Sequence, residues 1–274
     1  MTNELLVLGA GQSAPALIRD LLAQAQRHDW LVVVADRDAE LAQQRVAGHP
    51  CGRCISVDAR DDRALAKLID PAKVVVNFLA PMFQAPVAQL CVEHRRHMVS
   101  ASYLDPKVKA LDDAATRNDV TLLAEMGLDP GMDHMSVMRL LAQIKRDGAT
   151  VHRFVSYGSG VPAPEDRSNP LGYAVTWNPR NVVMAGEAGA LYLEDGSVRI
   201  APYPDIFRRV WSVDVPGVGP MEAYPNRNAL KYRSVYDIGS AETLIRATMR
   251  YPGFTQIWYA IAKLGLPNER LAVP

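Results

Sequence analysis

Gly9-Ala-Gly11-Gln12-Ser13-Ala14 is a short turn whose residue types suit phosphate binding. It fits the pattern G-x-G-x-x-G/A. There the first glycine permits a tight turn, the second lets the backbone approach a pyrophosphate, and the small last residue lets a helix pack close to a strand. A helix opening at this turn would add free N–H groups and a partial positive charge. Asp36 lies 25 residues beyond Gly11, close to the spacing at which a carboxylate accepts hydrogen bonds from an adenosine ribose. Its charge would repel a 2′-phosphate and so favours NAD. Arg37 beside it can stack on adenine or pair with that phosphate, which keeps NADP open. Asp58 has two readings, a side chain reaching the adenine pocket or the N-cap of the next helix. Cys51-Gly-Arg-Cys54 is a C-x-x-C with no second ligand pair nearby, so its cysteines read as loop thiols and no metal is expected. Asp133-His134 has the types of a metal or acid–base pair, but reads better as a carboxylate facing a helix N-terminus beside a packed histidine.

The elements that must position these groups alternate. Leu5–Leu8 is a buried strand running into the glycine turn, followed by helical spacing from Ala14 to Gln26, with Pro15 tolerated in the first turn. Strand Leu31–Ala35 ends at Asp36, and helix Ala39–Ala47 leads to a weaker strand, Ile55–Val57. Helix Arg63–Ile69, strand Val74–Phe78, helix Val87–His94, strand Met98–Ala101, helix Val108–Arg117 and strand Thr121–Ala124 continue the series. Strands alternating with helices imply a parallel sheet with helices on both faces, an α/β Rossmann-type doubly wound fold over residues 1–125. Ligands of such sheets bind outside the carboxyl ends of the strands. That rule draws attention to Ala80-Pro81, to Ser100-Ala101-Ser102-Tyr103 and to Gly127-Leu128-Asp129.

From 126 to 274 the pattern changes. A turn-rich hinge at Gly127–Gly131 precedes a helix from Met132 to Asp147. Strand-like pieces follow at Val151–Tyr157, Ala190–Leu193, Ser197–Ile200 and Val210–Val215, with a hairpin signal at Glu194-Asp-Gly196. This reads as a second, α+β domain with an antiparallel or mixed sheet.

Bulk composition limits the function classes. The 274 residues are 49% hydrophobic and 22% charged, with 30 basic and 30 acidic side chains, so no global field draws the protein to nucleic acid or to an anionic membrane. No apolar run approaches the roughly 18 residues of a membrane span. The start Met1-Thr-Asn-Glu lacks the basic region of a signal peptide. The three cysteines are too few for a disulfide framework. A cytoplasmic location is expected.

Several stretches resemble signature segments of the saccharopine dehydrogenases, the glutamate-forming enzymes also called saccharopine reductases. They are Ala101-Ser-Tyr103, Gly127-Leu-Asp-Pro-Gly-Met-Asp-His134, Val161-Pro-Ala-Pro-Glu165, Asn169-Pro-Leu-Gly-Tyr173 with Trp177, Ala223-Tyr-Pro-Asn-Arg227 and Thr248-Met-Arg-Tyr251. They occur in the family's order and span nearly the whole chain. The resemblance implies a reaction in which saccharopine, water and NAD(P)+ interconvert with glutamate, aminoadipate semialdehyde and NAD(P)H. It implies cofactor contacts at Gly9, Gly11, Gln12, Ser13, Asp36, Arg37, Ala101, Ser102 and Leu128. It implies substrate contacts at Ser102, Tyr103, Asp129, Arg227, Thr248, Met249 and Arg250, and a homodimer. The residue types make chemical sense, because saccharopine carries three carboxylates around a secondary amine. Arg227 and Arg250 can each grip a carboxylate in a bidentate fork. Asp129 can hold an ammonium group or cap the helix that follows. Tyr103 and Asp129 are candidates for proton handling, with water as the alternative.

The sequence also departs from the family pattern. Gly158-Ser-Gly160 stands where the family has Cys-Gly-Gly, Asn228 replaces an Asp, and Ala247 replaces a Gly. Related enzymes continue beyond the Tyr-x-Gly-Phe region and return to the cofactor domain, whereas this sequence stops at Pro274. Without a return segment, an edge of the cofactor sheet would be exposed or covered by a partner.

Overall fold

The computed structural model describes residues 3–176, 183–184 and 186–268; Trp177 of the resemblance motif lies outside them. The described residues form two compact units, divided between Val137 and Met138.

The first unit opens with β1 (Asn3–Leu8), α1 (Pro15–His28), β2 (Trp30–Asp36), α2 (Ala39–Val46), β3 (Gly52–Ser56), α3 (Asp62–Ile69) and β4 (Ala72–Asn77). It continues through α4 (Gln84–Glu93), β5 (His97–Ser100), α5 (Pro106–Lys109), α6 (Asp112–Arg117) and β6 (Leu122–Leu123). The strands form one parallel sheet in the order β3-β2-β1-β4-β5-β6. This is the doubly wound order, in which the chain reverses direction across the sheet between β1 and β4. Strand alternation distributes the core to both faces. Leu6, Leu8, Val33, Ala35 and Val75 pack with Leu65, Ile69, Val87 and Met98 on one side. Val7, Val32 and Val34 pack with Ala14, Ile18, Leu22 and Ala42 on the other.

Local chemistry sets the helix starts. Pro15 occupies the first turn of α1, Asp38 accepts from the Leu41 N–H to cap α2, and Asp61 accepts from Arg63 and Ala64 to cap α3. The N-cap of α3 is therefore Asp61, not Asp58. The expected helix at 108–117 is two short helices, because Asp105 caps a turn with Pro106 in its first position and the chain restarts at Asp112. Cys54 belongs to edge strand β3 rather than to a loop, and buried Cys91 has its thiol pushed up to about 12 by desolvation. Among the described residues, no group of three or more histidine, cysteine or acidic side chains is arranged to hold a metal.

The division between the units falls inside α7 (Met132–Arg146). The second unit is built on a mixed sheet of β7 (Arg153–Gly158), β8 (Ala190–Glu194), β9 (Ser197–Ala201), β10 (Trp211–Val215), β11 (Gly219–Pro225), β12 (Arg227–Asn228) and β13 (Thr243–Arg250). β13 is its hub, pairing antiparallel with β11 and β8 and parallel with β7. The Asp195-Gly196 turn joins β8 to β9 with φ of 48° and 75°, the pair of positive values that a two-residue type I′ hairpin requires. Helices among the described residues of this unit include α8 (Tyr232–Val235) and α9 (Phe254–Lys263). Among the described residues, no helix is long and apolar enough to cross a membrane.

Candidate functional site

In the first unit, the glycine turn leaves β1 and enters α1. Gly9 has φ of 99°, and a Cβ there would lie 3.1 Å from the Phe78 carbonyl carbon and oxygen, so only glycine fits without strain. Gly11, Gln12 and Ser13 are exposed, and a Cβ on Gly11 would meet nothing within 4 Å. The first turn of α1 has no acidic residue and no side-chain cap. Its N–H groups therefore remain available to an anion. These features fit a dinucleotide pyrophosphate.

Asp36 does more than the sequence suggested. Its Oδ2 accepts from the Ala10 N–H at 2.7 Å and its Oδ1 from the Asp38 N–H at 2.9 Å. The carboxylate braces the turn from the end of β2, and a ribose hydroxyl would share it. Arg45 on α2 supports the same turn through its Nε, which donates to the Ala10 carbonyl at 3.0 Å. Arg37 is exposed beside Asp36. Asp58 holds Arg60, which donates Nε at 3.0 Å and its backbone N–H at 3.0 Å to the same carboxylate oxygen. The Arg60 hydrogen bond, reinforced by charge from Arg60 and Arg37, lowers the Asp58 pKa to about 2. Arg37, Asp58 and Arg60 thus form one charged group at the carboxyl ends of β2 and β3.

After β5 the chain runs through Ala101, Ser102 and Tyr103, all half-buried. The Tyr103 hydroxyl donates to Asp129 Oδ1 at 3.0 Å, which joins the two proton-handling candidates across 26 residues of sequence. The Asp129 loop is tightly built. The Gly127 N–H donates to the Pro130 carbonyl at 2.9 Å, and the Met132 N–H donates to the Gly127 carbonyl at 3.0 Å. Asp133 accepts from the Gly131 N–H at 2.7 Å and stands in the first turn of α7, where a carboxylate complements the helix dipole. Leu128 is 76% exposed, an apolar side chain presented on the loop surface. His134 Nε2 lies 3.3 Å from Glu125 Oε2.

In the second unit, Arg227 is exposed on β12 with φ of 56°, and its N–H donates to the Gly189 carbonyl at 2.9 Å. Thr248, Met249 and Arg250 end β13. Thr248 Oγ1 accepts from Asn226 Nδ2 at 3.0 Å. Arg250 is half-buried, with its guanidinium carbon 4.7 Å from the Tyr173 ring centre and 5.3 Å from that of Phe254. Its Nη1 donates to the Met249 carbonyl at 2.8 Å, while its buried Nε has no hydrogen-bond partner. Burial pushes the nearby Tyr224 phenol up, and the positive charge of Arg250 opposes the shift. Tyr173, Phe254, Arg45, Gln84 and Glu125 were not among the expected site residues.

A glycine turn with an acidic brace in a 3-2-1-4-5-6 parallel sheet, followed by a mixed-sheet unit, has the architecture of a dinucleotide-binding domain joined to a second domain. The saccharopine dehydrogenase NADP binding domain matches residues 5–123, and the saccharopine dehydrogenase C-terminal domain matches residues 127–273. The chain belongs to the saccharopine dehydrogenase family. It is 33% identical over 271 residues to saccharopine dehydrogenase [NADP(+), L-glutamate-forming] of Saccharomyces cerevisiae, covering 98% of this chain and 59% of that protein. It is 34% identical over 270 residues to the mitochondrial alpha-aminoadipic semialdehyde synthase of Bos taurus, covering 97% of this chain and 29% of that protein. The apo structure of the Saccharomyces cerevisiae enzyme superposes with a TM-score of 0.87 at 31% identity, over 98% of this chain and 60% of that one. A homospermidine synthase from Legionella pneumophila shares the fold, with a TM-score of 0.60 at 12% identity over 97% of this chain and 69% of that one. The chain thus spans about three-fifths of the length of the yeast relative.

A nicotinamide dinucleotide is the cofactor class of the matching domain, and its name and that of the yeast relative carry the phosphorylated form. The preference for NAD read from Asp36 is therefore not what the comparisons favour. Both carboxylate oxygens face backbone amides of the chain itself, and exposed Arg37 stands next to them.

Proposed function

We propose that this chain catalyses the NADP-dependent interconversion of saccharopine and water with glutamate and aminoadipate semialdehyde, an oxidoreductase reaction at a CH–NH bond. Similarity to the glutamate-forming yeast enzyme over 98% of the chain carries this reading. The bound nicotinamide would supply hydride acceptance from the carbon beside the secondary amine, after which water cleaves the C–N bond. The turn Gly9, Gly11, Gln12 and Ser13 would hold the pyrophosphate on uncapped amides. Arg37 would pair with the 2′-phosphate, with Asp58 and Arg60 beside it. Ala101, Ser102 and Leu128 would border the nicotinamide. Asp129 would hold the substrate's amine nitrogen, and Tyr103, already hydrogen-bonded to that carboxylate, would exchange a proton with it as the amine changes charge. Arg227 and Arg250 would each bind a substrate carboxylate, with Thr248 and Met249 shaping the approach.

A second reading, the same chemistry on another amine, is favoured by one feature: Gly158 stands where the family has a thiol. Homodimerisation through the second unit belongs to the proposal as well. Strand β9 supports it, with Val198 57% and Ile200 71% exposed on one face. Sedimentation at micromolar protein would read a dimer mass, and a monomer would remove that part.

The deciding experiment follows the absorbance of reduced nicotinamide after saccharopine is added with NADP+ or with NAD+. Turnover with NADP+ is expected, preferred by roughly tenfold or more, the value of a charged hydrogen bond to phosphate. Arg37→Ala should remove most of that preference by weakening NADPH binding, with far less loss for NADH. Absence of reduced cofactor with saccharopine would refute the activity, and a preference for NAD+ would refute the role of Arg37. A panel of other amines separates the second reading.

A further inference from the structure

Tyr103 sits in a segment without regular secondary structure, yet its phenol is held on Asp129. Two side chains outside the proposed site account for this. Gln84, the first residue of α4, is 2% exposed. Its Nε2 donates to Ser100 Oγ at 3.2 Å and to the Ser102 carbonyl at 3.3 Å. Its Oε1 accepts from the Asp105 N–H at 2.9 Å. A buried amide is costly unless matched, and every partner of this one lies between Ser100 and Asp105. Its helix neighbours Val87, Ala88 and Cys91 belong to the apolar core, where a methionine at 84 would pack as well.

Glu125 grips the same segment through a second set of hydrogen bonds. Its N–H donates to the Ser102 carbonyl at 3.0 Å, and its Oε1 accepts from the Leu104 N–H at 3.0 Å. Its other oxygen reaches His134 in the first turn of α7, at 3.3 Å. Glu125 holds this position in the left-handed region at φ 60°, a conformation that side-chain-bearing residues rarely adopt. The residues flanking Tyr103, Ser102 and Leu104, are thereby fixed, and the same carboxylate links them to the helix that follows the Asp129 loop.

We propose that Gln84 and Glu125 are positioning residues that together clamp segment 100–105 and so set the Tyr103 phenol against Asp129. The inference rests on the reading of Tyr103 and Asp129 as reacting groups. A displacement of about 1 Å in such a pair can cost on the order of a hundredfold in rate. Gln84 reaches the pair only through the segment that carries Tyr103, whereas Glu125 also holds His134 beyond the Asp129 loop, so dependence on the phenol is what the test must read.

The test is a double-mutant cycle in the full chain. Gln84→Met and Glu125→Ala should each lower kcat by about tenfold or more, and in a Tyr103→Phe background each should cost less than about threefold. Glu125→Gln keeps an acceptor for the Leu104 N–H and should recover most of the rate. Equal losses in the wild-type and Tyr103→Phe backgrounds would overturn the proposal, since a general packing defect ignores the phenol. Hydrogen exchange judges the clamp without turnover: the Leu104 and Asp105 amides should exchange about tenfold faster in Glu125→Ala and Gln84→Met respectively. Unchanged exchange would overturn the clamp even if the enzyme is active. A wild-type chain that turns over no amine, with faster exchange in both variants, would refute the proposed activity while supporting the clamp.

Discussion

Alanine at Gly131 should destabilise the first unit by about 3 kcal/mol or more, among the largest effects of any single methyl group in this fold. Gly131 has φ of 149°, and a Cβ there would stand 2.2 Å from the Gly127 carbonyl oxygen and 2.6 Å from that of Glu125. All the obstructing atoms are backbone, so no side chain can rotate away. Relief requires opening the Gly127–Gly131 bridge, with loss of the hydrogen bonds from Gly127 to Pro130 and from Met132 to Gly127. For a unit of this size the melting transition should fall on the order of 10 °C. Gly11→Ala is the control. Its added methyl meets nothing within 4 Å, so melting should hold while nucleotide affinity falls. Calorimetry showing Gly131→Ala melting with the wild type would contradict the loop geometry. Because this loop carries Asp129, any surviving Gly131→Ala protein should also be defective in turnover.

The glycine turn was legible because a backbone shape that only certain residues tolerate leaves a mark in the sequence. Parallel strands buried on both faces leave one too, as near-continuous apolar runs, so β1, β2, β4 and β5 were expected close to where they lie. β11 and β13 were not. Pro220 and Pro225 punctuate β11, and prolines argue against a strand. β13, Thr243–Arg250, mixes Arg246 and Arg250 into its run. It is recognisable as a strand only through partners far away in the chain. The site divides in the same way. The segments of Tyr103 and Asp129 were marked by their place after the strand ends and their roles by family resemblance, but nothing local announces that the two bond. Gln84, Glu125 and Arg45 act through side-chain hydrogen bonds to residues 16 to 35 positions away. Such contacts produce no periodicity and no motif. Asp36 was found for its place at the strand end, but its grip on the Ala10 amide depends on how two loops meet. That grip gives the carboxylate a structural task that its place in the sequence did not reveal.

Arg250 poses a different question, because its contributions to binding and to stability should separate. Its guanidinium lies against Tyr173 and Phe254, and Phe254 in turn stacks on Trp258 with ring centres 5.5 Å apart. A planar cation fixed between rings loses little freedom when it forms a bidentate contact with a carboxylate. Removing such a charged hydrogen bond costs about 1.5–3 kcal/mol, so Arg250→Leu should raise the KM for saccharopine roughly tenfold to a hundredfold. Folding should respond much less. Leucine gives up cation–π attraction of about 0.5–2 kcal/mol and the Nη1 bond to the Met249 carbonyl, which keeps the Ser159 hydroxyl as a donor, but it also removes the buried Nε that has no partner, a penalty of about 1–3 kcal/mol. The losses and the gain nearly cancel, and leucine adds apolar contact with the same rings. Melting of Arg250→Leu should therefore match the wild type or exceed it while substrate binding collapses. Arg250→Lys restores charge without the planar fork and should recover only part of the affinity. An unchanged KM in Arg250→Leu would remove the residue from the substrate's reach. A KM defect accompanied by a large loss of melting temperature would mean that the rings need the arginine to fold, and that binding fails only because their packing does.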